Sequence, residues 1–353
     1  MKNLTIQIKP AGNYCNIDCT YCYASPFRGK TFKKLPIELV EKIIKEAFET
    51  TDNLIITWHG GEPTIPGVEY YKEVMALIKK YKKRKQNVVN MIQTNATLIT
   101  DEFANFFKKN KFVVSVSLDG SEMTHNKNRI YGNGKGSYAD TMRGVEILRK
   151  NGIYPPVIAT VSKSTYKDCE ETFNFLIKNG FKEIKYSPVY DSKEDSFSIS
   201  PDEWYEYIHK VFEMWMELGK TNIKIREIDI ILAMFLDRPL NLCTSDGSCV
   251  NWISIDENGN MYPCEYMRET NTYGNIAEMN VKDIFSTEQY QDFKKQVLTI
   301  PQSCKECSLI SACGNGCPAT RINNYGDLTR TGKYVYCSVR KRMYEDIKCI
   351  LSL

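Results

Sequence analysis

Two spacings of apolar residues alternate along the first half of the chain. Leu4–Ile8 carries apolar side chains at every second position, the spacing of a half-buried strand. Pro36–Glu49 carries Ile37, Val40, Ile43, Ile44, Ala47 and Phe48 on a single helical stripe. The two patterns then repeat. Leu54–Trp58, Val88–Gln93, Phe112–Leu118, Val157–Val161 and Glu183–Tyr186 read as strands. Val68–Tyr81, Asp101–Lys109, Tyr138–Lys150 and Lys167–Lys178 read as helices, the last closed by Gly180. Strands alternating with helices predict parallel β/α units. Six such strands are too few for the closed eight-stranded barrel, which leaves a doubly wound open sheet or an incomplete, open barrel.

Beyond Tyr190 the alternation stops. A polar loop over 191–200 leads into a predicted helix, Pro201–Gly219, with Trp204, Tyr207, Phe212 and Trp215. From Cys243 onward the pattern is one of short hairpins and loops punctuated by cysteine. Ser254–Tyr262 holds the turn Asp256-Glu257-Asn258-Gly259 between two short strands, and Cys337–Ile350 reads as a terminal helix. Little in this stretch is expected to fill a core, so metal ligation is expected to supply folding energy. The predicted domains are 1–190 (α/β), 191–242 (helical linker) and 243–353 (cysteine-rich). The chain begins almost directly at its first strand, so no N-terminal leader-binding domain is expected.

Composition narrows the function classes. The 353 residues are 42% hydrophobic and 25% charged, values of a globular protein rather than a disordered or fibrous one. Forty-seven Lys and Arg against 43 Asp and Glu leave a net charge of +4, too mild to argue for nucleic acid. The run Tyr81–Gln86 reads as a solvated helix end. No apolar run reaches the roughly 18–20 residues of a membrane span, and the start MKNLTIQIKP lacks a secretory signal. A cytoplasmic location is therefore expected, and there thiols stay reduced. The 13 cysteines are then not a disulfide framework but candidates for metal or catalysis.

The cysteines are grouped. Three form Cys15-x3-Cys19-x2-Cys22. Eight fall in the last third: Cys243, Cys249, Cys264, Cys304, Cys307, Cys313, Cys317 and Cys337. Cys169 and Cys349 stand alone and read as small buried apolar residues. Iron–sulfur cubanes take four thiolates each. Eight thiols make two closed sites, and three make a site with one metal position open to a small molecule. Taken alone, Cys304-x2-Cys307 suits zinc equally well.

The triplet, with Tyr21 inside it, resembles the radical S-adenosylmethionine (SAM) superfamily, and Gly60-Gly61-Glu62-Pro63 after the second strand is similar to that family's second motif. Cys249-x9-Gly259-x4-Cys264, then Cys304-x2-Cys307-x5-Cys313-x3-Cys317 and Cys337, resembles the SPASM extension of radical SAM enzymes that act on peptides and proteins. The resemblance covers nearly the whole chain. It implies an α/β fold: a partial (β/α)6 barrel followed by a small SPASM domain holding two auxiliary clusters. It also implies three [4Fe–4S] clusters in all, about twelve iron per chain.

The resemblance further implies roles. Cys15, Cys19 and Cys22 would hold the cluster that chelates SAM, with Tyr21 beside it. Gly60, Gly61 and Glu62 would meet the SAM amino group, Gln93 and Asn95 the ribose side, and Ser117 and Arg143 the carboxylate, with Arg129 as the substitute for Arg143. Cys243, Cys249, Cys264 and Cys317 would ligate the nearer auxiliary cluster, and Cys304, Cys307, Cys313 and Cys337 the farther one.

Further likeness is to the anaerobic sulfatase-maturing enzymes, through Ile8-Lys9-Pro10, Gln93-Thr94-Asn95, Ser117-Leu118-Asp119-Gly120 and His125-Asn126-x-x-Arg129. Two positions depart from that pattern. Ala24 stands where those enzymes usually carry tyrosine, and Glu265 where they use an aspartate as catalytic base. The departures favour maturation of a ribosomal peptide, by oxidation or crosslinking at a side-chain carbon, over conversion of Cys or Ser in a sulfatase to formylglycine. In either case Glu265 is the expected catalytic base, and the expected partners are a peptide or protein substrate and an electron donor such as flavodoxin or ferredoxin, with no nucleic acid or membrane. A non-enzymatic zinc-binding protein is the remote alternative, because it has no use for the N-terminal motifs.

Overall fold

The computed structural model describes every residue except 1, 30, 191–195, 220–221, 237, 239, 241, 246, 269–270, 326–333 and 352–353. Half of the predicted polar loop 191–200 therefore lies outside the described residues. In chain order the strands are β1 Asn3–Ile8, β2 Asn53–Trp58, β3 Asn87–Thr94, β4 Val113–Ser117, β5 Val157–Val161, β6 Glu183–Pro188, β7 Lys224–Ile225, β8 Trp252–Ile255, β9 Asn260–Tyr262 and β10 Gly274–Asn275. The first eight α-helices are α1 Ile37–Thr50, α2 Val68–Tyr81, α3 Asp101–Lys109, α4 Glu122–Asn126, α5 Tyr138–Lys150, α6 Cys169–Lys178, α7 Pro201–Glu217 and α8 Arg226–Phe235. Shorter helices and a terminal helix, Cys337–Leu351, follow.

The chain forms two compact units, each discontinuous in sequence: 1–117 with 128–155 and 249–294, and 118–127 with 156–248 and 295–353. In the first, strand order is β10-β9-β8-β1-β2-β3-β4. β1 pairs parallel to β2, β2 to β3 and β3 to β4, and β8 lies parallel against the other edge of β1, with Thr5 opposite Trp252 and Ile8 opposite Ile255. In the second, β5, β6 and β7 are parallel neighbours. Within neither unit do the β/α strands reverse direction of winding. A doubly wound sheet requires such a switch point, so within each unit the strands are singly wound.

The elements form for local reasons. β2 alternates half-buried and buried positions along its length. α1 buries Val40, Ile43, Ile44, Ala47 and Phe48, its predicted stripe. Thr100 caps α3, its hydroxyl accepting from the Phe103 amide. Tyr71 on α2 lies edge-on to Trp58 at 5.4 Å between centroids and to Phe112 at 6.1 Å. Such pairs contribute about 0.5–1.5 kcal/mol each beyond burial. Ser200 and Glu203 close a capping box at the start of α7. In the second unit Tyr186, Phe173, Leu176, Val211 and Ile228 are buried.

Two expectations are corrected here. The segment after Cys249 carries its own apolar core, with Ile253, Ile255, Met261, Ile276, Val281, Ile284 and Phe293 each at most 1% exposed. The predicted hairpin thus adds strands to the sheet of the first unit rather than depending on metal alone. Cys169 is buried as expected, but Cys349 is exposed. Among the described residues no helix is long and apolar enough to cross a membrane.

Candidate active site

The site grows from the carboxyl end of β1. Cys15, Cys19 and Cys22 lie on the loop that follows it, none of them in a disulfide. Three segments of the first unit hold this loop. The turn after β2 docks on its start, the Gly61 amide donating to the Gly12 carbonyl at 2.9 Å and the Glu62 amide to the Tyr14 carbonyl at 3.0 Å. The segment after β3 grips its middle, with Asn16 Nδ2 donating to Thr97 Oγ1 at 2.8 Å and Asn95 Nδ2 to Asn16 Oδ1 at 3.0 Å. Residues 128–130 hold its far side, the Thr20 amide donating to the Asn128 carbonyl at 3.0 Å.

Glycine is required in the turn after β2. Gly60 has φ +116°, a left-handed backbone conformation that side chains disfavour. A β-carbon on Gly61 would sit 1.9 Å from the Tyr14 carbonyl oxygen. The turn and the cysteine loop therefore approach as closely as two backbones can. Ala96, buried at φ +63°, closes the next loop, and Gly144 of α5 lets that helix come down on its carbonyl.

Glu62 faces inward. It is 1% exposed, and its Oε1 accepts from Thr64 N, Thr64 Oγ1 and Thr94 Oγ1 while Oε2 accepts from Asn95 N at 2.8 Å. Burial raises its pKa, and these hydrogen bonds pull it back. Glu62 thus ties the glycine turn to the end of β3. Glu62→Ala strips four donors of their acceptor and is expected to cost about 3 kcal/mol or more, read as a fall in Tm of the anaerobically purified protein; Glu62→Gln keeps the shape and recovers part.

The remaining predicted contacts fall around the same loop. Asn95 Nδ2 also lies 3.7 Å from Cys15 Sγ. Gln93 Nε2 donates to Ser117 Oγ at 3.3 Å, joining the ends of β3 and β4. Arg143 is half exposed and donates to the Thr97 carbonyl at 2.6 Å, with Asp140 3.4 Å away. Arg129 is buried, its guanidinium 5.6 Å from the Tyr21 ring centre and 3.9 Å from Cys19 Sγ.

The hairpin of the same unit brings Glu265 to this end. Glu265 follows Cys264 after β9, is 4% exposed, and pairs with Lys9, which is itself 0% exposed at the end of β1. Arg268 Nη1 reaches the same oxygen, Oε1, at 3.2 Å, and its Nη2 lies 3.4 Å from Asp256. Burial pulls the Lys9 ammonium below its usual range, and Glu265 opposes the shift. Ala24 is buried, and the aromatic beside it, Tyr23, packs on Tyr266 at 4.6 Å. Arg268 and Tyr266 were not singled out by the sequence, and Lys9 entered only as part of the Ile8-Lys9-Pro10 likeness, without a role.

The auxiliary cysteines divide between the units. Cys249 and Cys264 lie in the first, Cys243 and Cys317 in the second. The segments carrying Cys304, Cys313 and Cys337 are drawn together inside the second unit. Asn315 Oδ1 accepts from the Tyr334 amide at 3.2 Å and lies 3.6 Å from Cys304 Sγ, and buried Arg340 donates to Cys313 Sγ at 3.2 Å. Lys185, whose ammonium burial pulls down, lies in electrostatic reach of Cys243 and Cys317.

The donor set fits iron–sulfur clusters. Burial, reinforced by the Glu62 carboxylate, pushes the Cys15 thiol up to about 12, so a thiolate there needs a cation, which iron supplies. Among the described residues no three His, Cys, Asp or Glu side chains converge on a single ion, whereas a cubane spreads its thiolates wider.

A cysteine triplet, a glycine turn pressed against its loop, and a cysteine-bearing extension on the same sheet define a radical SAM enzyme with a SPASM extension. The family model described as the Radical SAM superfamily matches residues 10–176, and the SPASM iron–sulfur cluster-binding domain matches 248–308. A cysteine-type anaerobic sulfatase-maturating enzyme of Clostridium novyi (strain NT) is 31% identical over 98% of this chain and 95% of its own. A serine-type enzyme of Bacteroides thetaiotaomicron is 30% identical over 92% and 85%. Solved structures of native anSMEcpe match with TM-scores of 0.88 (bound AdoMet; 26% identity, 99% of this chain and 98% of that one) and 0.86 (AdoMet and Kp18Cys peptide; 25% identity, 99% of both). The chain belongs to the family of anaerobic sulfatase-maturating enzymes. These likenesses reverse the order of the two substrate readings, favouring sulfatase maturation over ribosomal-peptide crosslinking.

Proposed function

We propose that this enzyme oxidises a cysteinyl or seryl side chain of a sulfatase to formylglycine. The observation that carries the reading is the burial of Glu265 at the end of the sheet that bears the thiol triplet, in a chain similar over its whole length to sulfatase maturases. When bound, the first cluster and SAM supply a 5′-deoxyadenosyl radical that takes one hydrogen atom from the substrate β-carbon. Cys15, Cys19 and Cys22 would hold that cluster, and the Gly60–Gly61 turn would bring backbone to the SAM amino group. Glu265 would take the thiol or hydroxyl proton, and an auxiliary cluster, when bound, would supply the acceptor for the substrate's second electron. A cysteine then ends as a thioaldehyde, which water converts to the aldehyde with release of hydrogen sulfide; a serine ends as the aldehyde directly.

Incubation of the Kp18Cys peptide with the enzyme, SAM and a reductant under anaerobic conditions tests the reading by mass spectrometry. Formation of an aldehyde trapped by a hydrazide is expected. Unchanged peptide, or a crosslinked product from a ribosomal precursor peptide instead, would sink it. Glu265→Gln should leave 5′-deoxyadenosine formation within a few-fold of the parent and cut aldehyde by about 100-fold or more. Undiminished aldehyde removes Glu265 from the reaction.

A further inference from the structure

Glu265 offers two oxygens, and the protein uses only one. Oε1 meets Lys9 and, at 3.2 Å, Arg268. Oε2 is shut off from solvent and has no hydrogen-bond partner among the described residues. Buried carboxylate oxygens are usually satisfied, and Oε2, beside a saturated twin, keeps its capacity to accept from a donor outside the chain. Both cations are themselves held. Lys9 Nζ donates to Asn13 Oδ1 at 2.8 Å. The Arg268 guanidinium lies 4.5 Å from the centre of the Phe27 ring and 5.4 Å from that of Tyr262, with Asp256 on its other nitrogen. Lys9 also supports the glycine turn, for a β-carbon on Gly60 would lie 3.0 Å from Lys9 Cβ and Cγ. One side chain therefore touches both the SAM-binding turn and the carboxylate.

We infer that Lys9 and Arg268 are positioning residues: they clamp Oε1 so that Oε2 alone faces the thiol or hydroxyl of the substrate, with Lys9 setting that oxygen relative to the glycine turn. The inference rests on the reading of Glu265 as proton acceptor. It predicts that loosening the clamp uncouples hydrogen abstraction from product formation, since a small misplacement of a catalytic group costs orders of magnitude.

The probe is the Kp18Cys peptide deuterated at its cysteine β-carbon, with the reconstituted full-length enzyme. In Lys9→Met, deuterium should still reach 5′-deoxyadenosine, while aldehyde formed per 5′-deoxyadenosine falls about 10- to 100-fold. Lys9→Arg, which keeps a cation on Oε1, should restore much of the ratio, and Arg268→Gln should lower it. An unchanged ratio in Lys9→Met, where Glu265→Gln lowers it, overturns the clamp. If Glu265→Gln also leaves the ratio unchanged, or the parent enzyme does not turn the peptide over, the functional reading is what fails. The clamp is then decided by an anaerobic crystal structure of Lys9→Met: a displaced or split Glu265 carboxylate supports it, and an unmoved one overturns it. Should Lys9→Met not fold with full iron, Arg268→Gln is read by the same criteria.

Discussion

Gly61→Ala should abolish SAM cleavage in an enzyme that still carries its clusters. The added methyl has no room: Tyr14 O, Tyr14 C and Asn13 C would lie at 1.9, 2.3 and 2.7 Å, all of them backbone. No rotamer relieves such a clash, so the turn must back away from the cysteine loop. That breaks the Gly61–Gly12 and Glu62–Tyr14 hydrogen bonds and moves the carbonyls that would receive the SAM amino group. A shift of about 1 Å at a binding turn costs roughly 100-fold or more. The expected result is near-parental iron content, SAM affinity reduced by at least that factor in a calorimetric titration, and no detectable 5′-deoxyadenosine. Gly67→Ala is the contrast. Gly67 is also left-handed, at φ +85°, but nothing lies within 4 Å of its added methyl. It should cost about 1–3 kcal/mol of stability, because its ψ of 165° puts it in a region nearly confined to glycine, and leave cleavage intact. Parental cleavage in Gly61→Ala would mean that the turn does not meet SAM.

Cys19→Ala should be as damaging by another route. On the proposed ligand set, Cys15, Cys19 and Cys22 would be the first cluster's protein thiolates, so the loss of one would leave two, too few to retain a cubane. Iron should fall from about twelve to about eight per chain, and reductive SAM cleavage should vanish. Cys337→Ala should separate the two kinds of site: a similar loss of iron, with SAM cleavage retained and peptide product reduced. Cys349, exposed on the terminal helix, should be replaceable without change in either. Equal iron in Cys19→Ala and the parent would remove Cys19 from the ligand set.

What the sequence made legible was local. β1 to β6 and their helices are visible because each carries its period within one short segment, and the thiol triplet because its spacing lies within one loop. The parallel pairing of β8 with β1 was not visible. Trp252–Ile255 looks like half of a hairpin, and nothing in four residues says which distant edge they will join. Helix α8 was missed because its polar residues, Arg226, Glu227 and Asp229, all fall in its first turn, and Ile230–Phe235 after them is an unbroken apolar run with no period. The same distinction runs through the site. The glycine turn announces itself, but the inward aim of Glu62 depends on Thr94 and Asn95, a strand away. Lys9 is visible in the sequence only as part of a short motif, and its partner Glu265 lies far along the chain.

The ladder between β1 and β8 has a thermodynamic consequence. β1 leads directly into the first cysteine loop, and β8 and β9 lie between Cys249 and Cys264, so segments that bear different cysteine groups share one set of backbone hydrogen bonds. Local opening of the hairpin would expose the edge of β1 and strand the Lys9 ammonium in the interior without its counter-charge. The two segments should therefore exchange amide protons as one cooperative block. The extension behaves as a structural wall of the catalytic domain, and a version trimmed at residue 248 would be a damaged sheet rather than a smaller enzyme.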